Sequence, residues 1–197
     1  MFKYFILFCL CLSQAVLASV NDDLYKKLSS FDALKANFEQ KVLDSEQQVI
    51  ATSKGTIALD KKSMGFLMHT IEPDETVIMY KDDGVYLYDS FLNQVNIYNK
   101  DGFNKSPFAL INIKDKKELD LYTIAFLDNC FVLKEKMANS DIKSFSLAFD
   151  GALIVEVKAF MQSGDINIYT LSNVQNSALP SDLLYTIPQD AEVSDDR

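Results

Sequence analysis

Chemistry at a point needs nucleophiles, bases or metal ligands at workable spacing, and this chain supplies few of them. His69 is the only histidine, so a metal site would draw most of its ligands from carboxylates or from a thiol, and no helical spacing supports one. No serine stands in a nucleophile-elbow motif, and no glycine-rich loop is built to cradle a phosphate. Cys130 lies between Asn129 and the strand-like Phe131-Val132-Leu133, which suits a small packing residue better than a nucleophile. Acidic clusters such as Asp82-Asp83-Gly84 read as turns. What the chain has in excess is apolar contact: 14 Phe, 9 Tyr and 6 Met, many in segments that are apolar on both faces, as in Val85-Tyr86-Leu87-Tyr88. An antiparallel sheet normally turns one polar face to water. Apolar residues on both faces require either that other elements cover the second face or that the sheet encloses a greasy cavity.

The positioning elements come after an N-terminal export signal. Lys3 gives a short basic start, an apolar run follows from Phe5 to Leu12, and Val16-Leu17-Ala18 offers a peptidase site, so residues 1–18 are expected to be cleaved. The run falls far short of the roughly 20 apolar residues that span a bilayer. Leu17-Ala18-Ser19 resembles the start of a lipobox, but Val20 stands where the lipidated cysteine would be, so the mature chain is expected to be unlipidated and soluble. Residues 19–197 then form one domain. Cys130 is its only thiol and leaves no intramolecular disulfide. A net charge of -9 argues against nucleic acid and against an anionic membrane surface as electrostatic partners.

Leu24, Leu28, Phe31, Leu34, Phe38 and Val42 recur at three- and four-residue spacings and read as one face of an amphipathic helix, with Asp32 as a candidate N-cap. The period then changes to two. Strands are expected at Gly55–Leu59, Gly65–Thr70, Thr76–Lys81, Val85–Asp89, Gln94–Tyr98, Thr123–Leu127, Phe131–Lys134, Ile142–Phe149, Leu153–Met161 and Ile166–Ser172. A last short strand is expected near Leu184–Ile187, and helical turns at Pro107–Ile111 and Leu119–Tyr122. Such strands, joined by hairpin-sized turns, make a curved or nearly closed antiparallel sheet.

The order of short motifs resembles the periplasmic outer-membrane lipoprotein carrier family, LolA, from about Leu28 to the C-terminus. The motifs are Phe38-Glu39-Gln40, Gly55, Phe66 before Glu72-Pro73-Asp74-Glu75-Thr76, and Asp82-Asp83-Gly84-Val85-Tyr86-Leu87-Tyr88-Asp89 with Leu92-Asn93-Gln94-Val95. Ser106-Pro107-Phe108-Ala109-Leu110-Ile111, Phe131-Val132-Leu133-Lys134 and the tail Val193-Ser194-Asp195-Asp196-Arg197 follow in order. The resemblance implies a mainly β fold with helices: an unclosed antiparallel β-barrel of about eleven strands, with a helical lid over an apolar cavity. It implies a periplasmic chaperone, not an enzyme, that needs no cofactor and acts as a monomer. Such a protein would take lipoproteins from an inner-membrane ABC transporter, shield their acyl chains and deliver them to the outer membrane, through a receptor where one exists. The family's lid-controlling arginine falls, by spacing, at Lys62, and Met68 stands where the family often has tryptophan. Candidate cavity-lining residues are Phe66, Met68, Met79, Leu87, Phe108, Leu110, Phe145, Leu147 and Met161.

Two other readings have their own markers. An outer-membrane receptor of similar fold is itself a lipoprotein, which Val20 argues against. An exported enzyme acting on a lipid or glycan would have to rely on His69, Cys130 or a carboxylate pair.

Overall fold

The four-residue spacing of Leu34, Phe38 and Val42 belongs to a strand. Four is a multiple of two as well as a helical repeat, and Ala36, buried between Leu34 and Phe38, settles the period. The computed structural model describes residues 20–81, 83–100, 107–137 and 141–197. The export signal expected over residues 1–18 lies outside the described residues. The amphipathic helix is confined to residues 20–28 (α1), where Leu24 and Leu28 are fully buried. It stops at Ser29-Ser30, whose hydroxyls bond back to the carbonyls of Tyr25 and Lys27, each at 2.7 Å. β1 (Ala33–Leu43) follows. Its Ala, Leu, Lys, Glu and Gln content favours helix, but ladders on both sides override that weak preference. β1 pairs with β2 (Val49–Asp60) from Ala33↔Asp60 to Leu43↔Val49, and with β11 (Ile166–Gln175) from Lys35↔Gln175 to Leu43↔Ile166.

Between these come β3 (Gly65–Glu72), β4 (Thr76–Lys81), β5 (Gly84–Asp89), β6 (Gln94–Tyr98), β7 (Tyr122–Leu127), β8 (Cys130–Glu135), β9 (Ile142–Asp150) and β10 (Leu153–Met161). All stand at the expected places, within a few residues at their ends. The last expected strand is corrected. Leu184–Ile187 alternates in burial but joins no ladder, because Pro188 follows and Tyr185 and Ile187 are spent on packing against the sheet. The chain instead ends in β12 (Glu192–Asp195), a polar strand that pairs parallel to β6. The result is a single 12-stranded sheet in the order β12-β6-β5-β4-β3-β2-β1-β11-β10-β9-β8-β7, unclosed between β12 and β7.

Two crossings follow from this order. β6 lies near one edge of the sheet and β7 is the other edge, so the chain between them must span the sheet. Residues 107–121 of that connection lie on the inner face, in 3-10 turns at Pro107–Asn112 and Lys116–Leu121. The chain after β11 must return from the middle of the sheet to β6, and residues 179–191 do so across the outer face. Register shifts between Lys54/Gly55 and Ile154/Glu156, among others, bend the strands. At the first, a Cβ on Gly55 would lie 2.0 Å from the His69 carbonyl oxygen, so only glycine fits. At the second, the extra residue puts Ile154 on the same inner face as Val157, where strict alternation would separate them.

Candidate functional site

Alternation along each strand divides the apolar residues between two clusters. The larger lies inside the curve of the sheet and takes Leu34, Ala36 and Phe38 from β1, Ile57 and Leu59 from β2, Phe66 and Met68 from β3, and Phe145 and Leu147 from β9. α1 contributes Leu24 and Leu28, and the crossing segment contributes Phe108, Leu110, Ile111, Ile113 and Leu119. The smaller cluster, Leu67, Val77, Met79, Tyr88 and Val95, lies on the outer face beneath Leu183, Tyr185 and Ile187.

The candidate lining residues sort accordingly. Phe66, Met68, Phe145 and Leu147 are buried on the inner face, and Met161 packs half-buried against them. Leu87 shares the face of Val85 and is half-buried. Phe108 and Leu110 face the same interior from the opposite side, on the segment that fills it. Met79 does not join them. It is 3% exposed on the outer face, because β4 turns Ile78 and Tyr80 inward and Val77 and Met79 outward. An apolar residue count along β4 could not give that parity, since both of its faces are covered.

The segment in the interior is packed by rings. Phe108 is 2% exposed and sits between Phe66, at 5.9 Å between centroids, and Tyr169 of β11, at 4.9 Å and edge-on. Polar ties among the described residues add to this packing. Tyr25 Oη of α1 donates to the Lys114 carbonyl at 3.1 Å, and Asp22 pairs with Lys116. Glu118 accepts from the backbone N–H of Lys114 and of Asp115, at 2.9 and 2.8 Å. α1 is tied to the β9–β10 turn by Lys27 Nζ, which donates to the Gly151 carbonyl at 2.6 Å. A cleft of about 500 Å³ opens beside α1, lined by Lys26, Lys27, Phe126 and Phe131 among others, and Phe131 belongs to the inner cluster.

Lys62 lies on the surface. Its side chain is 77% exposed and pairs with Asp32 at 2.7 Å, an exposed pair that raises the affinity of Lys62 for its proton. The bond to α1 is made by its neighbour. Lys61 is 6% exposed, donates from Nζ to the Leu28 carbonyl at the end of α1 at 2.5 Å, and stands 4.1 Å above the Phe31 ring. Burial pushes its ammonium down to about 8, against the opposing pull of the Asp32 and Glu118 carboxylates. The sequence carries a signal for Lys61. Ile57, Leu59 and Lys61 continue one alternation, so the lysine that follows Leu59 by two points inward.

His69 of β3 meets Glu75 at 2.7 Å, and Tyr185 Oη donates to the same carboxylate at 3.2 Å, a paired surface site outside the interior. Cys130 is a half-buried free thiol at the start of β8. Among the described residues no three His, Cys, Asp or Glu side chains converge as metal ligands.

Known proteins share this architecture. Residues 29–187 match the family model described as outer membrane lipoprotein carrier protein LolA. An outer-membrane lipoprotein carrier protein of Haemophilus influenzae is 30% identical over 198 residues, covering 99% of this chain and 96% of the relative. That of Actinobacillus pleuropneumoniae is 30% identical over 178 residues, covering 89% and 83%. A solved structure from Thermus thermophilus, described as an uncharacterized conserved protein, shares the fold at a TM-score of 0.55 and 13% identity, over 90% of this chain and 98% of that one. With an unclosed sheet curved around an apolar interior and a family match over most of its length, the chain belongs to the outer-membrane lipoprotein carrier family, LolA.

Proposed function

We propose that this chain is a soluble periplasmic chaperone that accepts lipoproteins from an inner-membrane ABC transporter, shields their acyl chains inside the sheet and delivers them to the outer membrane. The observation that carries this reading is the construction of the interior. A continuous apolar wall on the sheet is covered by a short helix and a crossing segment that meet it mainly through apolar side chains among the described residues. Burying an acyl methylene is worth about 0.8 kcal/mol. Chains that displace Phe108, Leu110 and Ile111 exchange one apolar filling for another, and the displaced side chains carry the cost. Loading therefore needs work from the transporter, and unloading runs downhill into a bilayer or a receptor that offers the chains the same environment.

Lid control, which the family resemblance places at Lys62, fits Lys61. The Lys61 ammonium holds the last carbonyl of α1 from the turn that precedes the Phe66 strand. Releasing that bond frees α1 and uncovers the end of the interior near Phe31. A lysine makes one such contact where the fork of an arginine makes several, so the latch here is weaker and its charge titratable.

Depletion of the protein followed by separation of inner and outer membranes tests the assignment. Outer-membrane lipoproteins should accumulate in the inner membrane. Normal arrival at the outer membrane would contradict the assignment.

A further inference from the structure

The inner face is not apolar along its whole length. On β1 the alternation Leu34, Ala36, Phe38 continues to Gln40, so this side chain points inward one step beyond the last fully buried ring. Gln40 lies opposite Ser53 of β2 and Tyr169 of β11. Its Oε1 accepts from Ser53 Oγ at 2.9 Å, and its Nε2 donates to Tyr169 Oη at 3.0 Å and to Asn167 Oδ1 at 3.2 Å. Beyond this row the β1–β2 hairpin becomes exposed, with Thr52, Ala51 and Ile50 facing solvent. The four side chains therefore form a polar ledge where the apolar interior meets its mouth.

The arrangement leaves donors over. Gln40 uses both ends of its amide within the row, so Tyr169 Oη and Asn167 Oδ1 act as acceptors. The hydroxyl proton of Tyr169 and the Nδ2 group of Asn167 have no acceptor among the described residues. Burial, only partly offset by the bond from Gln40, pushes the Tyr169 hydroxyl up to about 12, so it keeps that proton at any physiological pH. The Tyr169 ring is also an edge-on neighbour of Phe108, at 4.9 Å, which places the ledge beside the segment that must leave when the interior is filled.

We propose that this ledge is a subsite for the carbonyl groups at the head of the acyl chains, the ester and amide links that join them to the lipidated cysteine. The inference rests on the carrier reading and deepens it. Hydrocarbon tails need only the apolar wall, whereas the linking carbonyls cannot be buried without donors. Tyr169 and Asn167 supply two donors at the depth where chains lying along the wall would end. The ledge thus sets a register: tails within, linkages at the row of Gln40, polypeptide outside.

The test compares two ligands on the full-length mature protein. One is a synthetic triacylated cysteinyl peptide; the other is N-phenylnaphthylamine, an apolar probe without a carbonyl. Tyr169→Phe keeps the ring and removes the donor, and Gln40→Met keeps the volume and removes the group that orients Tyr169 and Asn167. The ratio of affinities, acylated peptide over probe, should fall about three- to tenfold in Tyr169→Phe, the range expected for one lost hydrogen bond, and should fall also in Gln40→Met. A ratio unchanged in both folded variants overturns the ledge and leaves the carrier reading standing. Wild-type protein that fails to bind the acylated peptide at all overturns the carrier reading, and the ledge with it.

Discussion

Lys61 and Lys62 show how adjacent identical residues acquire different work. Lys62 points to solvent and pairs with Asp32, an arrangement worth little because both partners are exposed. Lys61 points inward, and its surroundings hold its pKa near 8, below the ordinary 10.5. Below about pH 8 the folded and unfolded chains both carry that proton, and the folded state bears the full cost of burying the charge. Between about 8 and 10.5 only the unfolded chain keeps it, so stability rises with pH across that window. Urea unfolding should therefore show wild type gaining about 2 kcal/mol on Lys61→Met between pH 7 and pH 10. An equal difference at both pH values would contradict a buried, titrating Lys61. The same contrast bears on the lid. Lys61→Met should raise uptake of an apolar fluorescent probe about tenfold, as expected for a lost bond to a charged donor, while Lys62→Met should stay near wild type. Spacing against the family pattern points to Lys62. Strand parity, which the sequence also contains, points to Lys61, and the two disagree by one residue because a turn rather than a strand separates them from Phe66.

At the scale of elements, what is legible follows the strength of the local period. Thr76–Lys81, Gln94–Tyr98 and Leu153–Met161 have the ends read from their sequences, since turn residues bound them on both sides. β1 reads as helix because Leu34, Phe38 and Val42 obey both periods, and it is the ladders to β2 and β11, which bury Ala36 on the same face, that decide between them. The same ambiguity hides the inward position of Gln40. β12 escapes a sequence reading because Glu-Val-Ser-Asp has no apolar pattern and its pairing to β6 is a contact between distant parts of the chain. The crossing segment is legible as helical turns available to cover the sheet, but not by which face, since nothing local says which face of a sheet a connection crosses. Phe108 is the element's anchor. Phe108→Ala should cost about 3–5 kcal/mol of stability, as for other buried rings. It should also leave space that an apolar ligand restores, so that melting with the probe recovers more of the loss in the variant than in wild type. Equal stabilisation of both proteins would show that Phe108 does not occupy the ligand's place.

At the scale of the molecule, two crossings give one sheet two covered faces. The return of the C-terminal segment covers the outer face with Tyr185 and Ile187, and Met79 packs beneath it beside a cleft of about 480 Å³ that Leu183 and Tyr185 also line. The inner face is covered by α1 and by residues 107–121, which join the wall through rings, aliphatic side chains and, among the described residues, polar bonds such as those of Tyr25 and Lys61. Both faces read alike in the sequence, apolar and aromatic, and the distinction between a core and a fillable interior is made only by which segment lies across each. Acyl chains carried inside the sheet reach the inner wall and never the outer one. Photo-crosslinking from single positions in cells measures that directly, with the reactive group placed at Phe66 or Phe145 on the inner face and at Met79 on the outer. Lipoprotein adducts are expected from Phe66 and Phe145 and none from Met79. Adducts from Met79 alone, or equally from both faces, would contradict carriage inside the sheet.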